Sequence, residues 1–479
     1  MASEQPIRVR IAPSPTGYLH LGTVRTALYN YLFAKKEKGA FVLRIEDTDQ
    51  SRSLPLYEQD ILEGLQALGL TWDEGPDIGG SHGPYRQSER TKQYTERLQA
   101  LVRGGKAYKC FCTKEQLDEE RKGMIAAGLA PKYSGTCRNL TAEQVAQYEK
   151  DGKESVLRIK VPLDYEVEFS DLIRGKISIN SSTIGDFIIA KDETSPLYNF
   201  AVVVDDADMR ISHVIRGEDH ISNTPKQILI QQALGFPEVV YAHLPLILSP
   251  DRSKLSKRSL ETAFIEYLKD GYLPEALLNF IVLLGWHPEG DEELLTLEEM
   301  IQRFSIKRVQ KAGAVFNMEK LDWFNAQYIR RLSEQELVKR MEGFVPEAWL
   351  ARPEVLTKAL IIERERIQKL SDFRENAGFF FEIGEYETDL LRWQDMPLEK
   401  VALHMRHVRE LVAAGKDGDI MPYAEQEGRG EVLWPLRVAL SGLRNSPGPF
   451  EIMYVLGKNE SLKRIDAAIQ KIIDGQDHT

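Results

Sequence analysis

The chain has 479 residues, 42% of them hydrophobic and 28% charged, with a formal net charge of -11. That length outruns one hydrophobic core, and the composition excludes a disordered or fibrous chain, so three or more soluble globular domains are expected. The acidic total argues against a protein coated in nucleic acid but says nothing about one local groove.

The opening "MASEQPIRVR" has no signal-peptide apolar core, and "ALLNFIVLLGW" falls far short of a bilayer span. Three cysteines are too few for a disulfide framework. The expectation is a cytoplasmic protein with no membrane partner.

"IRVRIAP" alternates Ile7, Val9 and Ile11 with Arg8 and Arg10, a strand period. After a Pro/Gly turn, "TVRTALYNYLFAKKEKG" sets Val24, Ala27, Leu28, Tyr31 and Leu32 on one helical stripe, with lysines in the last turn and Gly39 as the stop. "AFVLRIEDTD" is a second strand. Strand, helix and strand in so few residues make a βαβ unit with parallel strands.

From about 87 to 153 the chain reads as helical and charged, and it holds all three cysteines. "SVLRIKVP", "KISIN" and "DFIIAK" are short strands. "FAVVVDDADMRISHVIRGEDH" restores the α/β pattern, "SNTPKQILIQQALG" is a helix with Pro225 in its first turn, and "YAHLPLIL" is a strand emptying into the basic loop "SPDRSKLSKRS". Residues 1 to about 250 thus form a parallel α/β core interrupted by an insertion. Past Ser259 long amphipathic helices dominate, and "FNMEKLDWFNAQYIRRLS" (316–333) reads as a junction before a C-terminal helical domain.

Open parallel sheets bind ligands beyond the carboxyl ends of their strands, beside helix N-termini that favour anions. "IAPSPTGYLHLGT" (11–23) occupies such a place. Gly22 lets a nucleotide approach the backbone, and His20 can donate to a phosphate or ribose oxygen. "KLSKR" (254–258) brings two lysines, Lys254 and Lys257, to the same edge, suited to charge developing on a triphosphate. Either stretch alone is equally a plain turn or a solvated loop.

Together, "SPTGYLHLGTVRTALYNYLFAK" and "KLSKR" resemble the paired signatures of class I aminoacyl-tRNA synthetases, usually His-Ile-Gly-His and Lys-Met-Ser-Lys-Ser. Here the first reads His20-Leu21-Gly22-Thr23, and the second ends in Arg258. "RIAPSPTG", "LRIEDTD", "GPYRQSER", "VVVDDADMRISHVIRGEDH" and "LRVALSGLRNSPGPFEIMYVLGK" narrow the resemblance to bacterial glutamyl-tRNA synthetases, across essentially the whole chain.

The resemblance implies an α/β fold: a Rossmann-type parallel-sheet catalytic domain with an inserted acceptor-binding domain, then an α-helical connector and an all-α anticodon-binding domain. The corresponding boundaries are 1–80 and 198–245 for the catalytic halves, 81–197 for the insertion, 246–333 for the connector with its basic loop, and 334–479 for the helical end. It implies activation of L-glutamate by ATP with Mg2+ and transfer to tRNA(Glu), with tRNA(Gln) open as a second acceptor, by a monomer. Charging of glutamine, a related ligase that charges no tRNA, and a tRNA-binding paralogue without catalysis are the competing readings.

By the same resemblance, Arg10, Ala12, Ser14, Glu46, Tyr198, Val202 and Arg216 match the amino-acid pocket, and His20, Gly22, Asp219 and Lys257 the ATP site. Two guanidinium groups suit two carboxylates through paired hydrogen bonds, and Glu46 suits the ammonium. Taken singly, a strand-end arginine serves equally well in an ion pair with "DD" or "EDH". Cys110, Cys112 and Cys137 resemble a zinc module of the insertion; Asn139 stands where many relatives have histidine, and Tyr133 resembles a tyrosine ligand of close relatives that completes four donors. "ERERIQKLSDF" (363–373) is similar to the family's anticodon-reading helix, with Arg364 or Arg366 reading a base.

Overall fold

The computed structural model describes residues 6–253 and 264–476. It divides into two compact units, one formed by residues 1–267 with 277–318, the other by 268–276 with 319–479.

The first unit is built on parallel strands. β1 (Arg8–Ile11) leads through a turn into α1 (Leu21–Lys36) and β2 (Ala40–Leu43), which pairs with β1 in parallel, Arg10 opposite Val42. α1 buries Val24, Ala27, Leu28 and Leu32 as the periodicity predicts, and Gly39 closes it by donating to the Ala34 carbonyl. α2 (Pro55–Ala67) follows, and α3 (Thr91–Arg103) opens the inserted region.

Within that region β3 (Ala107–Cys110), β4 (Val156–Ile159) and β7 (Ile188–Ala190) form an antiparallel sheet, with α4 (Lys114–Ala126) and α5 (Ala142–Lys150) between β3 and β4 in sequence. A hairpin, β5 (Glu166–Asp171) with β6 (Gly175–Asn180), reaches back to the parallel strands: Asp171 pairs with Tyr241. The sequence reading named β6 but not β5.

α6 (Tyr198–Asp208), β8 (His213–Gly217), α7 (Thr224–Leu234) and β9 (Val240–Leu244) complete the core. β8 pairs with β9 in parallel, and Ser212 N–H donates to the Arg8 carbonyl at 2.9 Å, which sets β8 beside β1. "YAHLPLIL" divides where one strand was expected. Pro245 has no N–H to continue the ladder, Leu246 N–H is taken by Glu218 Oε1, and β10 (Ile247–Leu248) pairs instead with β11 (Ala314–Val315).

The second unit is helical: α8 (Met318–Arg331), α9 (Glu334–Arg340), α10 (Pro353–Glu363), α11 (Asp372–Phe381), α12 (Leu398–Ala413), α13 (Ile420–Glu427), α14 (Arg429–Ser441) and α15 (Pro449–Gln476), the last interrupted at Gly457. One apolar core runs through it, including Phe373, Phe380, Met405 and Leu436. "ERERIQKLSDF" is not a helix here. α10 stops at Glu363, and Asp372 accepts from the N–H groups of Gln368 and Lys369 at 2.9 and 2.8 Å, which fixes a turn before α11.

Candidate functional site

The turn after β1 is tied to the segment after β2. Arg44 N–H donates to the Ile11 carbonyl and Glu46 N–H to the Pro13 carbonyl, at 3.0 and 2.9 Å. These bonds carry Glu46 alongside the end of β1, where Arg10 stands. Ala12 is half-buried in the turn and Ser14 exposed.

His20 caps α1 with an extended backbone. Its Nδ1 accepts from Thr23 N–H at 3.3 Å, and Nε2 lies 3.1 Å from Thr23 Oγ1. The first turn of α1 has no acidic residue of its own to offset the positive pole of the helix end. A Cβ added at Gly22 would stand 3.2 Å from His20 Nδ1, so glycine there leaves the imidazole room.

Beyond the strand ends lies a buried cluster of charge. Asp206 Oδ1 accepts from Arg10 Nε at 3.2 Å and from Arg44 Nη1 at 2.7 Å, and Arg44 Nη2 donates to Glu46 Oε1 at 3.1 Å. Burial would raise the Asp206 pKa, but Arg10 and Arg44 outweigh it and hold the carboxyl below its ordinary range. Burial pushes Glu46 the other way, upward, by more than Arg44 and Arg10 pull it down. Below this layer Asp205 accepts from Arg90 Nε at 2.6 Å, from Gln87 at 2.8 Å and from the Tyr94 hydroxyl.

Tyr198 opens α6 and feels the charges of Glu46, Arg216 and Arg10; burial first, then Glu46, raises its phenol pKa. Its hydroxyl lies 3.0 Å from His220 Nδ1. Burial and then the Arg216 charge lower His220 to about 4, so it stands neutral at physiological pH. Arg216, 5% exposed on β8, donates from Nε to His243 Nε2 at 3.3 Å and from Nη2 to Thr224 Oγ1 at 2.8 Å. Its Nη1 is buried and has no hydrogen-bond partner among the described residues.

The structure therefore brings Arg10, Glu46, Tyr198 and Arg216 within mutual electrostatic reach. Val202 is a fully packed core side chain one turn along α6 from Tyr198. Asp219 is exposed just past β8, 3.7 Å from His220 Nε2. Lys254 and Lys257 lie outside the described residues. Arg44, Thr224 and His243 carry no signal in the sequence reading, which has Asp206 only as half of an ion-pairing "DD". The Arg10–Asp206 pair realises the ion-pair reading of "DD", so one residue serves the protein's own electrostatics as well as the cluster.

Cys110, Cys112 and Cys137 bring their sulfur atoms within 4.8 Å of one another. The Tyr133 hydroxyl sits among them, 3.4 Å from Sγ of both Cys110 and Cys112, and accepts from Cys137 N–H at 2.8 Å. The Arg158 guanidinium lies 3.9 Å over the Tyr133 ring. Three soft sulfur donors and one phenol oxygen, converging from β3 and two loops, can hold a metal ion.

In the helical unit, Arg366 Nε lies 3.1 Å from Glu363 Oε2, and Arg364 Nη1 donates to the Leu332 carbonyl at 3.4 Å. A cavity of about 430 Å3 opens here, lined by Trp323, Arg330, Glu365, Arg366, Gln368 and Asn376 among others. Of the two arginines, Arg366 faces this cavity.

Residues 6–323 match the family described as "tRNA synthetases class I (E and Q), catalytic domain", and residues 335–469 match "Anticodon binding domain". The glutamate–tRNA ligase of Carboxydothermus hydrogenoformans is 44% identical over 474 residues, covering 96% of this chain and 99% of its own.

The chain belongs to the glutamate–tRNA ligase family.

The glutamate–tRNA ligase of Symbiobacterium thermophilum is 45% identical, again over 96% of this chain and 99% of its own. A crystal structure of a glutamate tRNA ligase from Elizabethkingia meningosepticum, in complex with its amino acid, superposes with a TM-score of 0.88 at 35% identity, covering 97% of this chain and 99% of that one. The expected class I fold, parallel catalytic sheet followed by a helical anticodon-binding domain, is the family's and is seen here. No helix among the described residues is long and apolar enough to cross a membrane.

Proposed function

We propose that this chain activates L-glutamate with ATP and transfers the glutamyl group to tRNA(Glu). The observation that carries the pocket assignment is Arg216 Nη1, a buried cationic donor with no hydrogen-bond partner among the described residues, in reach of the Arg10 charge. Arg10 already has Asp206, but Arg216 has no carboxylate within ion-pair distance among the described residues, and a buried guanidinium without one is costly unless a ligand anion joins it. A dicarboxylate amino acid supplies two.

In this reading Arg10 and Arg216 bind the carboxylates, Glu46 the ammonium, and the Tyr198 hydroxyl donates to the substrate, with Ala12, Ser14 and Val202 shaping the walls. His20, Gly22 and Asp219 receive ATP, and Lys254 and Lys257 neutralise its phosphates. An oxygen of the glutamate α-carboxylate attacks the α-phosphorus, the bond to the β-phosphate breaks, and pyrophosphate leaves. The 2′-hydroxyl of the terminal adenosine then attacks the acyl carbon, the carbon–oxygen bond to the phosphate breaks, and AMP leaves with the hydroxyl proton passing to its phosphate or to water. Positioning and charge stabilisation carry both steps, with no protein nucleophile. Magnesium bound with ATP supplies further neutralisation of phosphate charge.

Cys110, Cys112, Tyr133 and Cys137 would hold a structural zinc ion; the softness and convergence of the donors support it. The region 81–197 receives the acceptor end, and 334–479 the anticodon, with Arg366 reading a base from the edge of its cavity. The chain works as a cytoplasmic monomer.

The test is glutamate-dependent pyrophosphate exchange with and without tRNA, followed by aminoacylation of purified tRNA(Glu) and tRNA(Gln). Exchange with glutamate and charging of tRNA(Glu) is expected; charging of tRNA(Gln) as well would make the enzyme non-discriminating. Exchange with glutamine in place of glutamate would overturn the pocket assignment.

A further inference from the structure

The Arg216 guanidinium is held by a chain of buried groups that starts in the inserted hairpin. Asp171 ends β5, His243 lies on β9 and Arg216 on β8, and the sheet runs β5, β9, β8 in that order. Arg216 and His243 are register partners. Asp171 Oδ2 lies 2.6 Å from His243 Nδ1, with both side chains fully buried. The other carboxylate oxygen accepts from the N–H groups of Ile173 and Arg174 at 2.9 and 2.7 Å.

Those bonds decide which imidazole nitrogen carries the proton. An ionised Asp171 is acceptor-only, so Nδ1 must be the donor, and a neutral His243 then presents the lone pair of Nε2. That lone pair faces Arg216 Nε at 3.3 Å and Thr224 Oγ1 at 3.0 Å. Arg216 Nη2 donates to the same threonine oxygen at 2.8 Å. Two nitrogens of the guanidinium plane are thereby fixed, and the third, Nη1, is left for something else. A planar fork with two anchored nitrogens cannot rotate, so the direction of Nη1 is set before any ligand arrives.

We infer that Asp171, His243 and Thr224 are positioning residues that hold Arg216 in the orientation that binds a substrate carboxylate. The assignment rests on the reading of Arg216 given above, and it explains two otherwise unassigned features. A fully buried Asp–His pair sits in a sheet beside an arginine with which it makes no charge pair. The hairpin of the inserted region also pairs with the parallel sheet at Asp171, the residue that sets the histidine tautomer.

The near-isosteric Asp171→Asn variant tests it. Its amide can donate to Nδ1 and move the histidine proton to Nε2, where it would oppose Arg216 Nε–H. The expected result in pyrophosphate exchange is a KM for glutamate raised about tenfold or more, with the KM for ATP within about twofold and the unfolding midpoint unmoved. Thr224→Val removes the second anchor without touching the Asp171–His243 bond and should show the same split; it decides the matter if Asp171→Asn lowers the midpoint. A parallel rise in both KM values, or no rise for glutamate in either variant, overturns the assignment. Wild-type protein lacking glutamate-dependent exchange even with tRNA(Glu) present would instead overturn the underlying reading, and this one with it.

Discussion

Arg10 and Asp206 meet in the interior, Nε to Oδ1 at 3.2 Å, with 4% and 8% of their surfaces exposed. The same oxygen also takes Arg44, so one carboxylate is shared by two guanidinium groups at the ends of β1 and β2, Arg44 having Glu46 and Asp205 besides. Positioning of Arg10 is thus inseparable from the stability of the sheet edge.

Asp206→Asn should therefore be costly twice. Removing the charge takes from buried Arg10 its one ion pair among the described residues and from Arg44 the shortest of three, a loss of about 3 kcal/mol in urea unfolding. Because the folded pKa of Asp206 is depressed, its contribution is present above the unfolded value and lost as pH falls through the folded one. The stability gap between wild type and variant should accordingly narrow in acid. A variant as stable as wild type at neutral pH would show that the pair contributes nothing net.

How much of this was legible beforehand depends on sequence distance. Arg10, Glu46 and Arg216 stand at or just past strand ends, and alternation such as Ile7, Val9, Ile11 locates strand ends well. Asp206 and His243 carry no comparable local mark. They meet their partners only because α6, which carries Asp206, and β9, which carries His243, lie where the fold puts them, 196 residues from Arg10 in one case and 27 from Arg216 in the other. β5 does alternate, burying Val167 between exposed Glu166 and Glu168, but its charged edge hides a strand that pairs on both sides. The turn at 364–371 was unreadable for another reason. Its charged residues favour helix, and Asp372 overrides that preference by capping backwards onto Gln368 and Lys369.

Gly22→Ala separates folding from activity. Alanine inside a helix should gain up to about 1 kcal/mol of stability over glycine. The same methyl would press on His20 Nδ1 at 3.2 Å and crowd the head of α1. The expected variant unfolds no more easily than wild type yet exchanges pyrophosphate about tenfold more slowly. Unchanged exchange would remove Gly22 from the ATP site.

The cysteine cluster predicts a metal stoichiometry. Purified protein should contain about one zinc ion per chain by elemental analysis. Tyr133→Phe keeps the ring beneath Arg158 but deletes the oxygen placed among the sulfur atoms, and should weaken zinc retention against a chelator by about 100-fold. Retention equal to wild type would reduce Tyr133 to a packing residue. Protein without zinc would leave three reduced thiols and a hydrogen-bonded phenol.

Glu363 closes α10 with its carboxylate fully buried, and neither oxygen accepts a hydrogen bond from a described residue. Arg366 lies 3.1 Å away, but burial outweighs its charge, Glu451 adds repulsion, and the carboxyl is pushed up to about 7. A raised carboxyl pKa means the folded state holds its proton more tightly than the unfolded chain. Its contribution is therefore complete below the unfolded value, about 4.3, and is lost as pH climbs through 7. The helical unit should weaken over that window by up to roughly 3 kcal/mol. Glu363→Gln carries no titrating group there, so it should be more stable than wild type at pH values above 7 and lose that advantage in acid. Urea unfolding followed by fluorescence of Trp323, Trp349, Trp393 and Trp434 reads the difference. A gap between the two proteins that does not change with pH would mean that Glu363 is ionised throughout and held by Arg366 alone.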